Sequence, residues 1–260
     1  MTRKQRLEDY CRTHTFNKKP TREDLQYIAV DDENKIMYCA LHKVASKTWI
    51  KILEDLRGVK EYVRRWGLFR RFGDYTEEEK VLRLQTYFKF LIVREPLHRL
   101  LSTFKERWIQ GGRDQNSSRI GRQLIVLSLR PEELNQNEEN HISFSEFIQY
   151  FSTNVTREPH CLQYEKICHP CVLKYDFIGH FETMGEDGPV ILKMAGIDDR
   201  VTFPPIHKAT GSSEVLKYYS QVPPRYITRL GELYRNDFEM FGYEYLGPVK
   251  HLLHQSTNGA

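Results

Sequence analysis

Long apolar runs are missing from this 260-residue sequence. No window reaches about 18 apolar residues, the length of a membrane-spanning helix. The N-terminus, MTRKQRLEDYCRTH, is charged where a signal peptide needs an apolar stretch. Either the protein is cytosolic, or a targeting segment is missing from this sequence. A strong charge excess is missing too: 39 Lys and Arg against 35 Asp and Glu leave +4, compatible with an anionic ligand and too weak to indicate nucleic acid.

Cysteine is scarce. The five residues are Cys11, Cys39, Cys161, Cys168 and Cys171. They do not make a disulfide-dense scaffold, and their odd number leaves at least one unpaired within the chain. Cys168 and Cys171 have the spacing of metal ligands, but no second CxxC or HxxxH completes a tetrahedral site. We therefore expect one or both in a disulfide rather than in a zinc site. Two sequons, at Asn116 and Asn154, would accept N-glycans on the secretory route.

The apolar pattern predicts an α/β fold. With 40% apolar and 12% aromatic residues, the chain is rich enough to collapse around a core. Residues 35–41 and 87–93 have the pattern of buried strands, and a loop and a helix follow each, at 47–57 and 97–108. This repetition predicts parallel βα units. Further helices are predicted at 76–85, 143–151, 186–195, 213–220 and 223–240.

Three segments divide the chain. Residues 1–27 are predicted to be a polar, helix-poor lead-in, residues 28–246 the main domain, and residues 247–260 a flexible tail. Within the main domain, residues 110–140 are polar and predicted to be mostly loop.

The first segment with chemical potential is the loop Leu41–Trp49 between a predicted strand and helix. A helix N-terminus offers backbone N–H groups and partial positive charge to a phosphate or sulfate. Lys43 and Lys47 add point charges, and Ser46 and Thr48 add hydroxyl donors. The P-loop pattern GxxxxGK[ST] is absent, which counts against an ATP or GTP enzyme. On spacing alone, a basic turn with a capped helix explains the segment equally well.

The second such segment runs from Arg94 to Ser102 and also joins a strand to a helix. Arg94 can bind a phosphate bidentately at the strand's carboxyl end, and Ser102 can add a hydroxyl bond. Ligands of open α/β sheets collect at these strand ends. The alternative is that Arg94 is a surface ion-pair partner and Ser102 an ordinary helix residue. Two such loops favour a nucleotide with separated anionic groups.

Together the two loops, HKVASKTW and REPLHRLLS, resemble the 5′-phosphosulfate and 3′-phosphate loops of Golgi carbohydrate sulfotransferases. That family's loops typically read PKVGCSNW and R[DE]PFERLxS. LQTYFKFLIVR, CHPC, YDFIGHFET and DFEMFGY also match, so the resemblance covers roughly residues 7–246. Within the family, TYFKF, GHFET and ILKMAGID are similar to the glucuronyl 3-O-sulfotransferase that builds the natural killer epitope. The chondroitin and dermatan 4-O-sulfotransferases are near relatives.

The resemblance implies a P-loop-like α/β sulfotransferase fold, with a central, mostly parallel sheet flanked by helices. It implies an enzyme that uses 3′-phosphoadenosine 5′-phosphosulfate without a metal, a glycan acceptor, and no nucleic acid partner. The compartment it implies is the Golgi lumen, reached as a type II membrane protein whose anchor lies outside this chain. The implied donor-binding residues are His42, Lys43, Val44, Ala45, Ser46, Lys47, Thr48, Arg94 and Ser102. Lys43 is also our candidate for neutralising the charge that develops on the leaving oxygen.

A hydroxyl nucleophile needs a general base, and histidine fits best near neutral pH. His160 is our first candidate because it occupies the position of the family's His-Trp pair, although a structural histidine near a disulfide is the main alternative. His42 and Glu182 are further candidates. We expect His180 to be a packed supporting group and His98 to be solvated.

Several positions depart from the family pattern. His42 replaces a proline, Thr48 an asparagine or glutamine, and Cys161 the tryptophan of His-Trp. These changes affect acceptor identity more than donor binding. Acceptor contacts are open elsewhere too: the basic and aromatic stretch Arg64–Phe72 would bind an anionic glycan or form a solvated face. Lys208 and Thr210 are expected, from family position, to close over the nucleotide.

Two other functions stay open. A nucleotide kinase of related topology would bind ATP, but its lysine motif is missing. A non-catalytic glycan- or nucleotide-binding relative is suggested by the departures around residues 42–51 and 161. It would bind the donor without turnover.

Overall fold

The computed structural model describes residues 1–14, 19–59, 68–110, 115–135, 140–153, 158–205 and 211–253, without the side chains of 116 and 117. Contacts within the chain define two compact units. The first comprises Met1–Arg94, Gln163–Ala209 and Met240–Gly242. The second comprises Glu95–Leu162, Thr210–Glu239 and Tyr243–Ala260.

A five-stranded sheet forms the centre of the first unit. Its strands are β1 (Ile28–Asp31), β2 (Ile36–Cys39), β3 (Arg70–Arg71), β4 (Phe88–Val93) and β5 (Phe177–His180), in the spatial order β3-β1-β2-β4-β5. β2, β4 and β5 are parallel, whereas β1 pairs antiparallel with both β2 and β3. The predicted α/β fold with a parallel central part is confirmed, and the two antiparallel pairings of β1 make the sheet a mixed one.

Along the chain, helices precede, separate and follow these strands. They are α1 (Arg3–Thr13), α2 (Ser46–Leu56), α3 (Glu77–Thr86), α4 (Pro96–Phe104), α5 (Gln115–Leu129), α6 (Phe144–Thr153), α7 (Tyr164–Cys168), α8 (Pro170–Leu173), α9 (Met184–Met194), α10 (Ser212–Tyr219), α11 (Pro224–Leu233) and α12 (Arg235–Phe241). Among the described residues, none of these helices combines the length and the apolar character needed to cross a membrane.

Strand and helix signals near the site agree with the structure. The apolar run of β4 is buried along nearly its whole length, which is typical of a parallel strand covered on both faces. On α2, the Trp49 ring packs 4.7 Å from the Phe90 ring of β4. The predicted Thr76–Glu79 capping box is confirmed at the start of α3.

The prediction of a helix-poor lead-in was wrong. Residues Arg3–Thr13 form α1, which begins with a capping box between Thr2 and Gln5. The helix is anchored to the rest of the first unit by the Arg3–Asp187 ion pair at 2.6 Å. Its weak apolar stripe contains only Leu7 and Tyr10 as buried residues, so the helical period was not visible in a charged sequence.

Residues 110–140 are also more helical than predicted, because they contain α5. The buried side of α5 includes two polar residues, Ser118 and Arg122, beside Ile125 and Val126. Arg122 donates from Nη1 to the Trp108 carbonyl at 3.4 Å. Polar groups on the buried face therefore concealed the 3.6-residue period.

Two disulfides join residues far apart along the chain within the first unit. Cys11 pairs with Cys171, and Cys39 pairs with Cys168. The expectation of a disulfide at the CxxC pair is confirmed for both cysteines, and a zinc site there is excluded because both sulfurs are already bonded. Cys161 is a buried free thiol.

The second unit has a separate aromatic core. Phe144 and Phe147 pack with Phe104, and Trp108 packs against Phe147 with ring centroids 4.9 Å apart. Residues Gly247–Leu253 form a 3-10 helix that buries Val249 in this core. The last seven residues of the predicted tail, 254–260, lie outside the described part of the chain.

Candidate active site

Three parallel strands of the first unit end beside one another. After β2 comes the loop 40–45, after β4 comes Arg94, and after β5 comes the turn Phe181–Thr183. The carboxyl edge of a parallel sheet is where α/β proteins bind their ligands. Two of the predicted donor-binding segments, the loop before α2 and Arg94, therefore reach the same edge.

The loop between β2 and α2 has an unusual backbone. Lys43 has a φ of 70° and Ala45 a φ of 63°, both in the left-handed region that non-glycine residues rarely adopt. Between them, Val44 is fully buried. Packing of Val44 fixes the loop, and the strained residues on either side stay only partly buried. Backbone strain of this kind is held in place by its surroundings and is common at binding sites.

The helix that follows begins at Ser46 with an N-cap that cannot cap it. Ala45 is the N-cap residue and has no side-chain acceptor for the first-turn amides. Its carbonyl accepts from the amides of Thr48 and Trp49 at 3.0 and 3.1 Å. The first turn of this 11-residue helix carries Ser46, Lys47 and Thr48. Amide donors, hydroxyls and a lysine at one helix N-terminus match the chemistry of an anionic group.

Arg94 connects the two predicted segments. Its side chain is 3% exposed, and Nη1 donates to the carbonyl oxygen of Lys43 at 3.3 Å. The Arg94 amide donates to the Tyr164 hydroxyl at 2.8 Å, and its guanidinium lies 4.4 Å from the Phe181 ring centre. Arg94 is therefore a buried cation at the sheet edge, and the surface ion-pair alternative is wrong. His42, the residue before Lys43, packs edge-on against the Tyr27 ring, with the ring centroids 6.4 Å apart.

Ser102 and His98 lie on α4, in the second unit. Ser102 is partly buried. The His98 side chain is 13% exposed, and its Nδ1 lies 2.7 Å from Glu95, which also caps α4 through the His98 amide. The expectation of a solvated His98 was wrong because this carboxylate holds the ring against its own helix.

His160 lies in a charged cluster of the second unit. Its Nδ1 is 2.5 Å from Glu158 Oε1, and Arg107 Nη2 is 3.5 Å from the other oxygen of that carboxylate. Burial would raise the pKa of Glu158, but the hydrogen bond and charge of His160 and the charge of Arg107 hold it below its usual value. His160 thus sits beside an ionised carboxylate, a placement suited to a histidine that handles protons.

The backbone around His160 is fixed by buried polar side chains. Arg99 donates from Nη1 to the His160 carbonyl at 3.2 Å and from Nη2 to the Leu162 carbonyl at 2.7 Å. The Tyr234 hydroxyl donates to the carbonyl between them, that of Cys161. Burial raises the pKa of the Cys161 thiol, so this cysteine stays protonated and inert.

The structure adds Glu158, Arg107 and Arg99 to the residues found from the sequence. Glu158 stands two positions before His160, a spacing at which a carboxylate can reach the ring of the same turn. Arg99 lies on the apolar face of α4 between Leu97 and Leu101, all fully buried. An arginine in such a stripe is a signal of a buried polar contact, and the sequence analysis missed it.

Other predicted residues have different outcomes. His180 ends β5, and burial, with the nearby charge of Arg3, lowers its pKa to about 4, as suits a packed neutral ring. Glu182 lies in the turn after β5. Arg70 and Arg71 of the basic stretch form β3. Outside the described residues lie Arg64, Arg65, Trp66, Asn154, Lys208 and Thr210, and the Asn116 side chain.

Across the described ranges, no group of three or more His, Cys, Asp or Glu side chains is arranged to hold a metal ion.

The chain matches the Sulfotransferase family over residues 26–244, a span that includes both loops and His160. It therefore belongs to the sulfotransferase family and is an enzyme of that class. The matched region contains β2, β4 and β5 with their carboxyl-edge residues.

Within the family, the chain is similar to several carbohydrate sulfotransferases. The chain is 28% identical to carbohydrate sulfotransferase 11 of Rattus norvegicus over 93% of its length and 75% of the relative's. It is 32% identical to carbohydrate sulfotransferase 10 of Homo sapiens, covering 85% and 67%. Carbohydrate sulfotransferase 12 of Xenopus laevis is 30% identical, with 88% and 62% covered. No solved structure matches the chain.

Proposed function

We propose that this enzyme transfers a sulfuryl group from 3′-phosphoadenosine 5′-phosphosulfate to a hydroxyl of a glycan. The main observation behind the proposal is the hydrogen bond from the Arg94 guanidinium to the Lys43 carbonyl at the carboxyl edge of the sheet. A strained, lysine-bearing loop and a buried arginine meet there through the Lys43 carbonyl. This arrangement provides positive charge and helix N–H donors for a doubly anionic nucleotide.

The donor's 5′ end is assigned to the loop and first turn of α2. Val44, Ala45, Ser46, Lys47 and Thr48 supply backbone amides, and Ser46 and Thr48 add hydroxyls. The donor, when bound, supplies the sulfuryl group, and negative charge grows on its departing phosphate oxygen. Lys43 neutralises that charge, which is the main catalytic need of such a displacement. His42 flanks the same loop.

The donor's 3′-phosphate is assigned to Arg94 and Ser102. A guanidinium binds a phosphate in a planar, two-pronged geometry, and a hydroxyl adds one donor. The proposal uses no metal, since the lysine, arginine and helix N-terminus provide the positive field.

The acceptor hydroxyl needs a base, and His160 is our candidate. Its imidazole is one-fifth exposed and bonded to an ionised carboxylate, so it can take a proton and hold the resulting charge. The alternative is a structural histidine near a disulfide, and the residue next to His160, Cys161, is a free thiol.

The acceptor is proposed to be a glycan because the relatives compared above are named carbohydrate sulfotransferases. Two sites of sulfation are in question, the 3-hydroxyl of a terminal glucuronyl residue and the 4-hydroxyl of N-acetylgalactosamine in chondroitin or dermatan. The proposed compartment is the Golgi lumen, in a full-length protein with a type II membrane anchor. The two disulfides support an oxidising compartment.

The test is transfer of labelled sulfate to desulfated chondroitin, desulfated dermatan and a terminal glucuronyl-galactose glycan. Lys43→Ala is compared with Lys51→Ala, the same change at an exposed lysine of α2 that pairs with Asp55. We expect transfer to one acceptor, lost in Lys43→Ala and retained in Lys51→Ala. Donor binding without transfer to any of these acceptors would favour the non-catalytic alternative. ATP binding with no affinity for the phosphosulfate would favour the kinase.

A further inference from the structure

We propose that Arg3 of α1 is a positioning residue of the donor site, where it holds the turn after β5 against Arg94. It acts through Asp187 of α9, and the group that it positions is the Phe181 ring. This inference rests on the proposed function, because it assigns a role in binding the donor's 3′-phosphate. Every contact used lies within the first unit.

The end of β5 lies at an edge of the sheet. β5 is last in the spatial order of strands, so within the described ranges no strand pairs with its outer side. A sheet edge leaves backbone groups that need other partners. The Ile178 carbonyl accepts from Arg3 Nη1 at 3.3 Å. The His180 amide donates to Asp187 Oδ2 at 2.8 Å. Side chains of α1 and α9 therefore bind the strand just before its turn.

Asp187 is the centre of these contacts. Its Oδ2 atom accepts from Arg3 Nη1 at 2.6 Å, from the His180 amide at 2.8 Å and from the Thr183 hydroxyl at 2.6 Å. Arg3 Nη2 donates to that same hydroxyl at 2.9 Å, which closes a ring of hydrogen bonds. His180 and Thr183 lie on either side of Phe181 in the chain. The backbone that carries the Phe181 ring is therefore fixed before and after it.

The ion pair between Arg3 and Asp187 is largely withdrawn from water. The Asp187 side chain is 12% exposed and that of Arg3 33%. In the part of the chain that the structure describes, Arg3 is the one cation paired with this carboxylate. A buried carboxylate is costly without a cation and hydrogen bonds to compensate it. Without Arg3, Asp187 must turn toward solvent or take up a proton, and either change weakens its hold on the turn.

Phe181 is the residue that links this turn to the donor site. Its ring centre lies 4.4 Å from the central carbon of the Arg94 guanidinium, within the range of a cation–π contact. Arg94 Nη1 also donates to the Lys43 carbonyl at 3.3 Å. The ring contact and this hydrogen bond together set the plane of the guanidinium. Because a guanidinium binds a phosphate along the edge of its plane, the orientation of that plane affects how well Arg94 binds the 3′-phosphate.

Helix α1 is attached to the first unit by more than Arg3. Leu7 and Tyr10 are its buried residues, and Cys11, near its other end, is bonded to Cys171. The disulfide keeps the helix covalently attached when Arg3 is replaced. A substitution at Arg3 therefore removes the contacts with the turn without detaching α1.

The binding test uses two nucleotides that differ only in the 3′-phosphate, 3′-phosphoadenosine 5′-phosphate and adenosine 5′-phosphate. Calorimetric titration of the full chain gives the ratio of their affinities. We expect Arg3→Met to weaken binding of the 3′-phosphorylated nucleotide roughly tenfold and to leave binding of adenosine 5′-phosphate nearly unchanged. Arg12→Met, the same change at an exposed arginine of α1 that pairs with Asp9, should keep the wild-type ratio. In an Arg94→Met background, Arg3→Met should have no further effect on the ratio.

The ratio separates positioning from a merely structural role. A structural role of Arg3 would weaken both nucleotides equally or neither, and either result in Arg3→Met would overturn the proposal. A further loss in the Arg94→Met background would show that Arg3 does not act through Arg94. A wild-type preference that persists in Arg3→Met rejects the positioning role alone. Equal binding of both nucleotides by the wild-type chain would instead reject the assignment of the 3′-phosphate to Arg94, and the positioning role with it.

Thr183 tests the same contacts without removing a charge. Valine lacks the hydroxyl that accepts from Arg3 and donates to Asp187, whereas serine keeps it. We expect Thr183→Val to lower the affinity ratio in the same direction as Arg3→Met, and Thr183→Ser to retain the wild-type ratio. Equal ratios in these two variants would overturn the proposal, including where Arg3→Met is too unstable to titrate.

Discussion

Nη1 of Arg99 donates to the backbone carbonyl of His160 at 3.2 Å, from a side chain with no exposed surface. The same guanidinium reaches the Leu162 carbonyl, so one buried cation spans a three-residue segment. Burying a charge is costly unless its hydrogen bonds are made. Arg99 therefore fixes the backbone geometry of residues 160–162.

Arg99→Lys tests this relationship. A lysine ammonium is a compact point charge and cannot bridge both carbonyls as a guanidinium does. We expect the free energy of unfolding to fall by about 2–3 kcal/mol, and kcat to fall more than donor affinity. Urea denaturation and steady-state kinetics measure both, with Arg229→Lys on α11 as the surface control. Wild-type stability and kcat in Arg99→Lys would contradict the expectation.

Ala45 offers a test of the loop before α2. Its left-handed backbone suits glycine and strains a β-branched residue. We expect Ala45→Gly to leave unfolding free energy within about 1 kcal/mol of wild type and to preserve nucleotide binding. Ala45→Val is expected to cost about 1–2 kcal/mol and to weaken binding. Denaturation and calorimetric titration with 3′-phosphoadenosine 5′-phosphate give the two numbers, and equal behaviour of the two variants would refute the expectation.

The disulfide between Cys39 and Cys168 closes a long loop, with a sequence separation of 129. Replacing both cysteines by alanine is expected to lower the free energy of unfolding by about 2–5 kcal/mol, through a less constrained unfolded chain. Cys161→Ala is the control, because this thiol is unpaired. Peptide mapping under non-reducing conditions should find both disulfides intact in the control. A map that pairs Cys161 in the wild-type chain would contradict the assignment.

His180 predicts an acid sensitivity of the fold. Its pKa is about 4 in the folded chain and 6.5 in the unfolded one, so the unfolded state binds the extra proton first. Above pH 6.5 His180 is neutral in both states and does not lower the free energy of unfolding. As pH falls from 6.5 toward 4, that free energy falls by about 3 kcal/mol, because only the unfolded chain gains the proton. His180→Asn should flatten this part of the pH–stability curve, whereas His251→Asn, at an exposed position, should not. Parallel pH–stability curves for the wild-type chain and His180→Asn would refute this acid sensitivity.

The donor half of the site could be predicted from the sequence because its signals are local. Apolar runs identified β2 and β4, and the basic residues just after them identified Lys43 and Arg94. Their contact through the Lys43 carbonyl follows from adjacent parallel strands. Each of these signals, a strand and the basic residue after it, is contained within about a dozen consecutive residues.

The support of His160 could not be predicted in the same way. Arg99 and Tyr234 are 61 and 74 positions from His160, and nothing local marks either as its partner. Helix α5 was missed because polar residues occupy its buried face, and α1 because a disulfide and an ion pair stabilise it from positions 171 and 187. Whether such helices form depends on packing against residues far away along the chain, and a prediction from local sequence patterns does not include these contacts.

The order in which the chain is synthesised gives the CxxC pair a further consequence. Cys11 and Cys39 emerge from the ribosome long before their partners, since the pairs are 160 and 129 residues apart. Until Cys161, Cys168 and Cys171 follow, Cys11–Cys39 is the one disulfide that can form within the chain. The native bonds therefore form late, and a disulfide isomerase is expected to raise the yield of active enzyme by undoing the early Cys11–Cys39 pairing.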